Sequence, residues 1–267
     1  WAEKALQEEL GRGREVSDRF EVGRNFCNKL WNAARFAFLN LEGVTCEPID
    51  VKALPPEDRW ILSRLARAVG RFHACMDEYQ YSACVKELRD FFWDSLCDWY
   101  IELTKPRMNP ADGSTVNKQS TAWAKQVLAF CLDQTLRLWH PIIPFITERL
   151  WQQLNAIAPK RGIPPVVSLK QEPRLVTASF PEIEDFAKFE DRDIEALFGK
   201  IQDVVRGVRD LRFRCNLSPK QMVTVTVSLP AADRTEFEAH AHIVTEMAGI
   251  ETLAIVPDAK RPKNAGA

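Results

Sequence analysis

The chain has 267 residues, 46% of them apolar and 27% charged, with 36 basic against 37 acidic side chains. These are the proportions of an ordinary folded protein, and they exclude a disordered chain, a collagen and a disulfide scaffold. A net charge of −1 also excludes a globally basic polyanion binder, so any positive surface for such a partner has to be local.

At this length one large or two modest domains are expected, and eight Trp and fifteen Phe supply bulk for their cores. No apolar stretch approaches the ~18 uncharged residues of a membrane helix, and Trp1 to Leu10 has neither a basic nor an apolar leader region. A soluble chain with no membrane partner is expected. The seven Cys are odd in number, sit in apolar contexts and form no C-x-x-C pair, so they read as buried thiols in a reducing cytoplasm. No metal site is expected, because the closest His pair, His240 and His242, falls on different faces of a helix.

In chain order, a first helix is expected from Asp18 to Leu41, stopped by Gly43. A second starts at Pro55-Pro56-Glu57-Asp58, where Pro and acidic residues suit a first turn, and runs to about Tyr79. A third covers Ser82 to Leu103 and ends before Pro106. A fourth spans Lys118 to Trp139, and His140-Pro141-Ile142-Ile143-Pro144 breaks the chain before a fifth at Phe145 to Leu154. Long helices with short connections make an antiparallel bundle over residues 18–158.

Four Pro or Gly residues between Pro159 and Pro165 mark a linker. A small α+β unit is expected over 166–258. One or two short extended segments fall in 166–180, and a helix over 191–214 carries Ile194, Leu197, Ile201, Val205 and Val208. A β-branched strand follows at Met222 to Leu229, then a helix at Thr235 to Ala248 and a strand at Thr252 to Val256. The tail, 259–267, is polar. The fold class is therefore mainly α, a helical bundle followed by a small α+β subdomain.

Motifs for phosphate loops, dinucleotide binding, zinc proteolysis and serine hydrolysis are missing, and no catalytic residue can be singled out. Cys27 reads as a structural thiol because its helical neighbours are apolar. The informative segment is Gly23-Arg-Asn-Phe-Cys-Asn-Lys-Leu-Trp-Asn-Ala-Ala-Arg-Phe36. On a helical wheel, Phe26, Cys27, Leu30, Ala33, Ala34, Ala37, Phe38 and Leu41 form one apolar arc. The other side collects Arg24, Asn25, Asn28, Lys29, Asn32 and Arg35, and Phe36 lies on the stripe Asn25, Lys29, Asn32, Phe36.

Two readings of that face are open. In one it is simply solvated, with Phe36 covered by a neighbouring helix. In the other the Asn side chains address base edges, Lys29, Arg24 and Arg35 pair phosphates, and Phe36 offers its ring to an unstacked base, the mixture that splayed single-stranded RNA requires. A second local basic excess, with Arg206, Arg209 and Arg212, sits on the helix over 191–214. Backbone phosphates are its candidate ligands, against the alternative of a solvated, carboxylate-paired face.

The segment Gly23 to Phe36, with Leu41-Glu-Gly43, resembles the opening helix of the anticodon-binding domain of valyl-tRNA synthetases. Asp58-Arg-Trp-Ile-Leu-Ser63, Asp98-Trp-Tyr-Ile-Glu-Leu-Thr-Lys-Pro106, His140-Pro-Ile-Ile-Pro-Phe-Ile-Thr-Glu148 with Trp151, and Ile201 to Pro219 continue the resemblance in order. The His140 to Glu148 element is shared with leucyl and isoleucyl enzymes, whereas the Asn28 to Phe36 helix favours the valyl ones. The resemblance implies a helical module that grips the anticodon stem-loop of tRNA(Val), with Lys29 and Phe36 meeting anticodon bases and Arg24, Asn25, Asn32 and Arg35 as further contacts. Asp98, Trp99 and Glu102 are implied to be bundle-internal.

The H-I-G-H and K-M-S-K-S elements that hold ATP in this synthetase class are missing. The chain is therefore expected to need no cofactor itself, to be inactive alone, and to be a piece of a longer ATP-dependent ligase whose other domains are its partners. Residues 1–17 match poorly and are expected to be the remnant of an insertion. The alternatives are a helical protein–protein adaptor, or the equivalent domain of an isoleucyl or leucyl enzyme.

Overall fold

The computed structural model describes residues 18–108, 117–169, 172–218 and 221–257. The chain divides into two compact units, one made of residues 1–48 and 125–181, the other of 49–124 and 182–267. The boundary near residue 124 falls inside a continuous helix, Lys118–Trp139.

In the first unit, α1 (Asp18–Asn40) presents an apolar stripe to its surroundings. Phe26, Leu30, Ala34, Ala37 and Leu41 are buried, spaced as one helix face requires. Gly43, at φ +70°, turns the chain just beyond it. The helix Lys118–Trp139, α5, is buried on all sides from Gln126 to Trp139, so its polar residues need partners. Gln126 Nε2 donates to the carbonyls of Glu47 (2.8 Å) and Gly162 (3.1 Å). Asp133 accepts from Nε of Arg137 (2.6 Å) and of Arg161 (2.7 Å), and both guanidinium carbons lie over the Trp151 ring, at 4.8 and 4.7 Å.

Trp151 belongs to α6 (Pro144–Ile157), which begins at the second Pro of the turn 140–144, where His140 Nδ1 is 2.9 Å from Thr147 Oγ1. The expected linker at 159–165 contains a strand: β1 (Gly162–Ile163) pairs antiparallel with β2 (Val167–Ser168). Gly162 is required there. Its φ is +138°, and a Cβ would stand 2.6 Å from the Val167 carbonyl oxygen.

In the second unit, α2 (Pro56–Asp77) carries Pro at its start and Glu57 and Asp58 in its first turn. The next helical run has three parts: α3 (Tyr81–Arg89), a π-helical stretch (Asp90–Ile101) and α4 (Glu102–Met108). It does not end before Pro106 as the sequence suggested. Arg107 holds its last turn, donating to Asp58 through both terminal nitrogens (2.9 and 2.7 Å), to Glu57 (2.8 Å) and to the Ser120 hydroxyl and carbonyl oxygens. Asp98 and Glu102 are corrections too: both are exposed, and only Trp99 of that trio is buried. Widened i→i+5 turns rotate every later side chain away from the azimuth that a 3.6-residue repeat predicts.

α8 (Arg192–Arg214; α7 is the short turn Ile183–Phe186) packs against α2. Phe198 stacks on Trp60 with ring centroids 4.8 Å apart. The N-cap residue Asp191 accepts from Ile194 N (3.0 Å) and pairs with Arg59, while Glu195 accepts from Ser63 Oγ (2.6 Å) and Arg67 (2.9 Å). After α8, β3 (Val223–Ser228) pairs in parallel with β4 (Ile250–Val256), joined by α9 (Ala231–Ala239) and α10 (Ala241–Ala248). A single helix was expected there, but the chain breaks at His240 (φ −117°, ψ 13°) without a Pro or Gly to mark it. The fold class is the expected one, mainly α with a small α+β part.

Burial works against ionisation of Asp191 and Glu195. Bonds from the Ile194 amide and Arg59 at Asp191, and from Ser63, Arg67 and Arg64 at Glu195, outweigh it and hold both below the usual carboxylate range. A lowered carboxylate contributes stability above its unfolded pKa and loses it as pH falls through the folded one. We therefore expect Asp191→Ala to cost about 1–2 kcal/mol in urea unfolding at pH 7, the usual worth of an N-cap. Its deficit should shrink in melts run below pH 4. A deficit unchanged with pH would refute the linkage.

Candidate nucleic-acid interface

α1 (Asp18–Asn40) turns one face inward, and the expected candidates occupy the other. Arg24, Asn25, Asn28, Asn32 and Arg35 are exposed, and Arg24 pairs with Glu21 across an open 3.2 Å contact. Lys29 and Phe36 are half-buried, and each keeps an interaction within the protein. They border the buried stripe. Phe36 is therefore neither fully covered by a neighbour nor a freely projecting ring, and its main-chain carbonyl accepts from Asn40 Nδ2 (2.8 Å).

A second edge of the same helix escaped the sequence reading. Arg24, Asn28, Trp31, Arg35 and Phe38 follow the i, i+4, i+7 rule, which repeats the basic, amide and aromatic composition on the opposite border of the apolar arc. Trp31 is 40% exposed. With Arg35 and Phe38 it lines a cavity of about 500 Å³ whose far wall is Leu150, Gln153, Ala156 and Ile157 of α6. That volume suits a small planar group, and Arg35 supplies a positive rim. The signal was present in the sequence, since Trp31 lies beyond the apolar arc on the wheel. Its flanking angle assigned it to neither face.

The larger cavity, about 940 Å³, is in the second unit. Its lining includes five Arg and five carboxylates, among them Arg64, Arg67 and Glu195, which bond one another. Charge so balanced gives an anion little net attraction, which argues against this cleft as a phosphate groove. Among the described residues no group of three or more His, Cys, Asp or Glu is placed to hold a metal ion.

The three candidate phosphate contacts on α8 (Arg192–Arg214) separate. Arg206 and Arg209 are exposed. Arg212 is a correction: it is buried, and its guanidinium donates to the carbonyls of Gly249 (3.1 Å), Ser218 (2.8 Å) and Ala248 (3.4 Å). Its donors tie the end of α8 to the turn before β4, where Gly249 at φ +64° brings the backbone within reach. The thiols need correcting as well, because Cys215 is exposed and Cys27 and Cys46 are half-buried; Cys75, Cys84, Cys97 and Cys131 are buried as expected. Burial, with the Glu47 charge beside it, pushes the Cys46 thiol up, away from reactivity.

A mainly helical fold that buries one stripe of this helix and leaves a basic, amide-rich face in solvent presents the residue types with which unpaired RNA bases and phosphates are met. Over residues 58–227 the chain matches the family described as the anticodon-binding domain of tRNA ligase, and it belongs to that family. It is 38% identical over 258 residues to the valine–tRNA ligase of Rhodopirellula baltica, covering 97% of this chain and 24% of that protein. It is 33% identical to that of Synechocystis, covering 92% and 26%, and 38% identical to that of Carboxydothermus hydrogenoformans, covering 76% and 20%. The chain thus spans about a quarter of the length of these relatives. No helix among the described residues is long and apolar enough to cross a membrane.

Proposed function

We propose that this chain is the part of a valine–tRNA ligase that receives the anticodon stem-loop of tRNA(Val), on the polar face of α1 (Asp18–Asn40). The observation that carries the reading is the segregation of that helix. Its apolar stripe is buried to within a few percent, while Arg24, Asn25, Asn32 and Arg35 remain in solvent beside the half-buried Lys29 and Phe36. In this reading Phe36 supports an unstacked base, Lys29 and the arginines meet phosphates, and the amides address base edges. ATP-dependent aminoacylation belongs to other segments of the ligase, and this chain holds the tRNA for it without a cofactor of its own. Family membership favours this over a protein adaptor. Seven free thiols fit a cytoplasmic protein.

The test is fluorescence anisotropy with a labelled tRNA(Val) transcript. Binding that weakens steeply with salt is expected, as phosphate contacts release counterions. Phe36→Ala should cost about 1–3 kcal/mol, the worth of one base–aromatic stack. Equal affinities for wild type and Phe36→Ala would remove Phe36 as the platform. Equal affinities for tRNA(Val) and an isoleucine-accepting tRNA would remove the valyl assignment.

A further inference from the structure

We propose that Phe213, framed by Arg206, Arg209 and Arg214 at the end of α8 (Arg192–Arg214), is a second stacking platform for an unpaired RNA base. α8 buries one face, yet Phe213 is 85% exposed, more than any other large hydrophobic side chain among the described residues apart from Phe145. The ring forgoes burial that its helix neighbours obtain, so its face is free for a ligand to cover.

The surroundings say what that ligand is. Phe213 follows Arg209 by four residues and Arg206 by seven, so the three share a stripe. Arg209 is held in place by its bond to the Met247 carbonyl (2.8 Å) and by the Trp99 ring, 5.9 Å beneath its guanidinium. Arg206 pairs with Asp203 (3.1 Å) and Arg214 with Asp210 (2.7 Å), each partner more than half exposed. Ion pairs so open contribute little in water and exchange readily for phosphate. Three guanidiniums stand against the two carboxylates paired with them, so the patch is locally positive and suits a polyanion, and an aromatic ring among arginines matches the mixture that holds single-stranded RNA.

This inference rests on the reading that the protein binds tRNA, but it uses residues other than those of α1. The probe is the same labelled tRNA(Val) transcript, bound to the 267-residue chain as wild type, Phe213→Ala, Phe213→Leu, Phe213→Trp and Phe36→Ala. Circular dichroism melts should be unchanged for the Phe213 variants, since the ring has few contacts to lose. Phe213→Ala and Phe213→Leu are each expected to weaken binding about tenfold, and Phe213→Trp to retain it, because a base stacks on a π face and not on an aliphatic chain. Full affinity in Phe213→Ala alongside weakened Phe36→Ala would overturn this inference and leave the anticodon reading standing. Full affinity in Phe213→Leu with loss only in Phe213→Ala would also overturn it, in favour of plain apolar contact. Failure of the wild type to bind would overturn both.

Discussion

Replacing Asp133 by alanine is expected to lower the unfolding free energy by about 3–5 kcal/mol, the cost of stripping one partner from a buried ion pair. Asp133 is fully buried and is the carboxylate shared by Arg137 and Arg161, whose side chains are 3% exposed. Among the described residues Asp133 is the ion-pair partner of both arginines, so removing it leaves two buried positive charges without theirs. The Trp151 ring that both guanidiniums contact compensates only in part, because cation–π attraction is worth about 2 kcal/mol when desolvated. Among the described residues Nη2 of Arg137 already has no hydrogen-bond partner, so the loss adds to an existing deficit. Urea unfolding followed by Trp fluorescence reads the effect directly. A loss under ~1 kcal/mol would mean that water or a shifted backbone replaces Asp133, and the network would not be what holds the buried stretch from Gln126 to Trp139 in place.

Arg107→Ala should cost a similar amount, again about 3–5 kcal/mol, and its pH dependence identifies the cause. Arg107 spreads its donors over Asp58, Glu57 and Ser120, and Asp58, fully buried, also accepts from the Tyr100 hydroxyl (2.8 Å). Burial disfavours the guanidinium charge, but the bonds and charge of Asp58 outweigh it and keep Arg107 firmly protonated. Glu57 shows the opposite tension: burial and the adjacent Asp58 push its carboxyl up, and Arg107 only partly restrains it. A carboxyl raised on folding favours the native state while protonated, and that contribution fades as pH rises from its unfolded value through the folded one. With Arg107 gone, Glu57 rises further. Arg107→Ala should therefore be worst at neutral pH and recover part of its stability as pH falls towards about 4–5, where carboxyls ordinarily protonate. The wild type should show that recovery only to a smaller extent, because Arg107 restrains the rise of Glu57. A pH-independent deficit would show that the variant suffers from lost packing alone.

The two networks show why some of this protein is legible in its residues and some is not. Asp133 and Arg161 lie 28 residues apart, and Arg107 and Asp58 lie 49 apart. Nothing local in either segment announces the pairing. Asp58 reads as an ordinary first-turn carboxylate favoured by the helix dipole, yet it is the buried anchor for the far end of the next helical run. Arg212 reads like its neighbours Arg206 and Arg209, and only the carbonyls of the Gly249 turn make it an internal residue. At the candidate interface the same division holds. The segregated polar face of α1 is visible on a wheel, whereas the cavity beside Trp31 requires α6 (Pro144–Ile157) to stand opposite.

By itself the sequence determined where several of the helices lie. Lys118–Trp139 and α8 follow the expected bounds to within a residue, because helix formation, capping and Pro or Gly termination depend on contacts three to five residues away. It also determined the alternation of Val223–Ser228 and the apolar stripe of α1. Tertiary structure alone decided which charged residues are inside: Asp133, Arg137, Arg161 and Arg212 are buried, while Asp98 and Glu102 are not. It also decided that Phe213 stands bare beside three arginines. The physical reason is that a charge is buried only where a distant segment supplies its counter-ion or acceptor, and a repeat of 3.6 residues carries no information about what arrives from elsewhere in the chain.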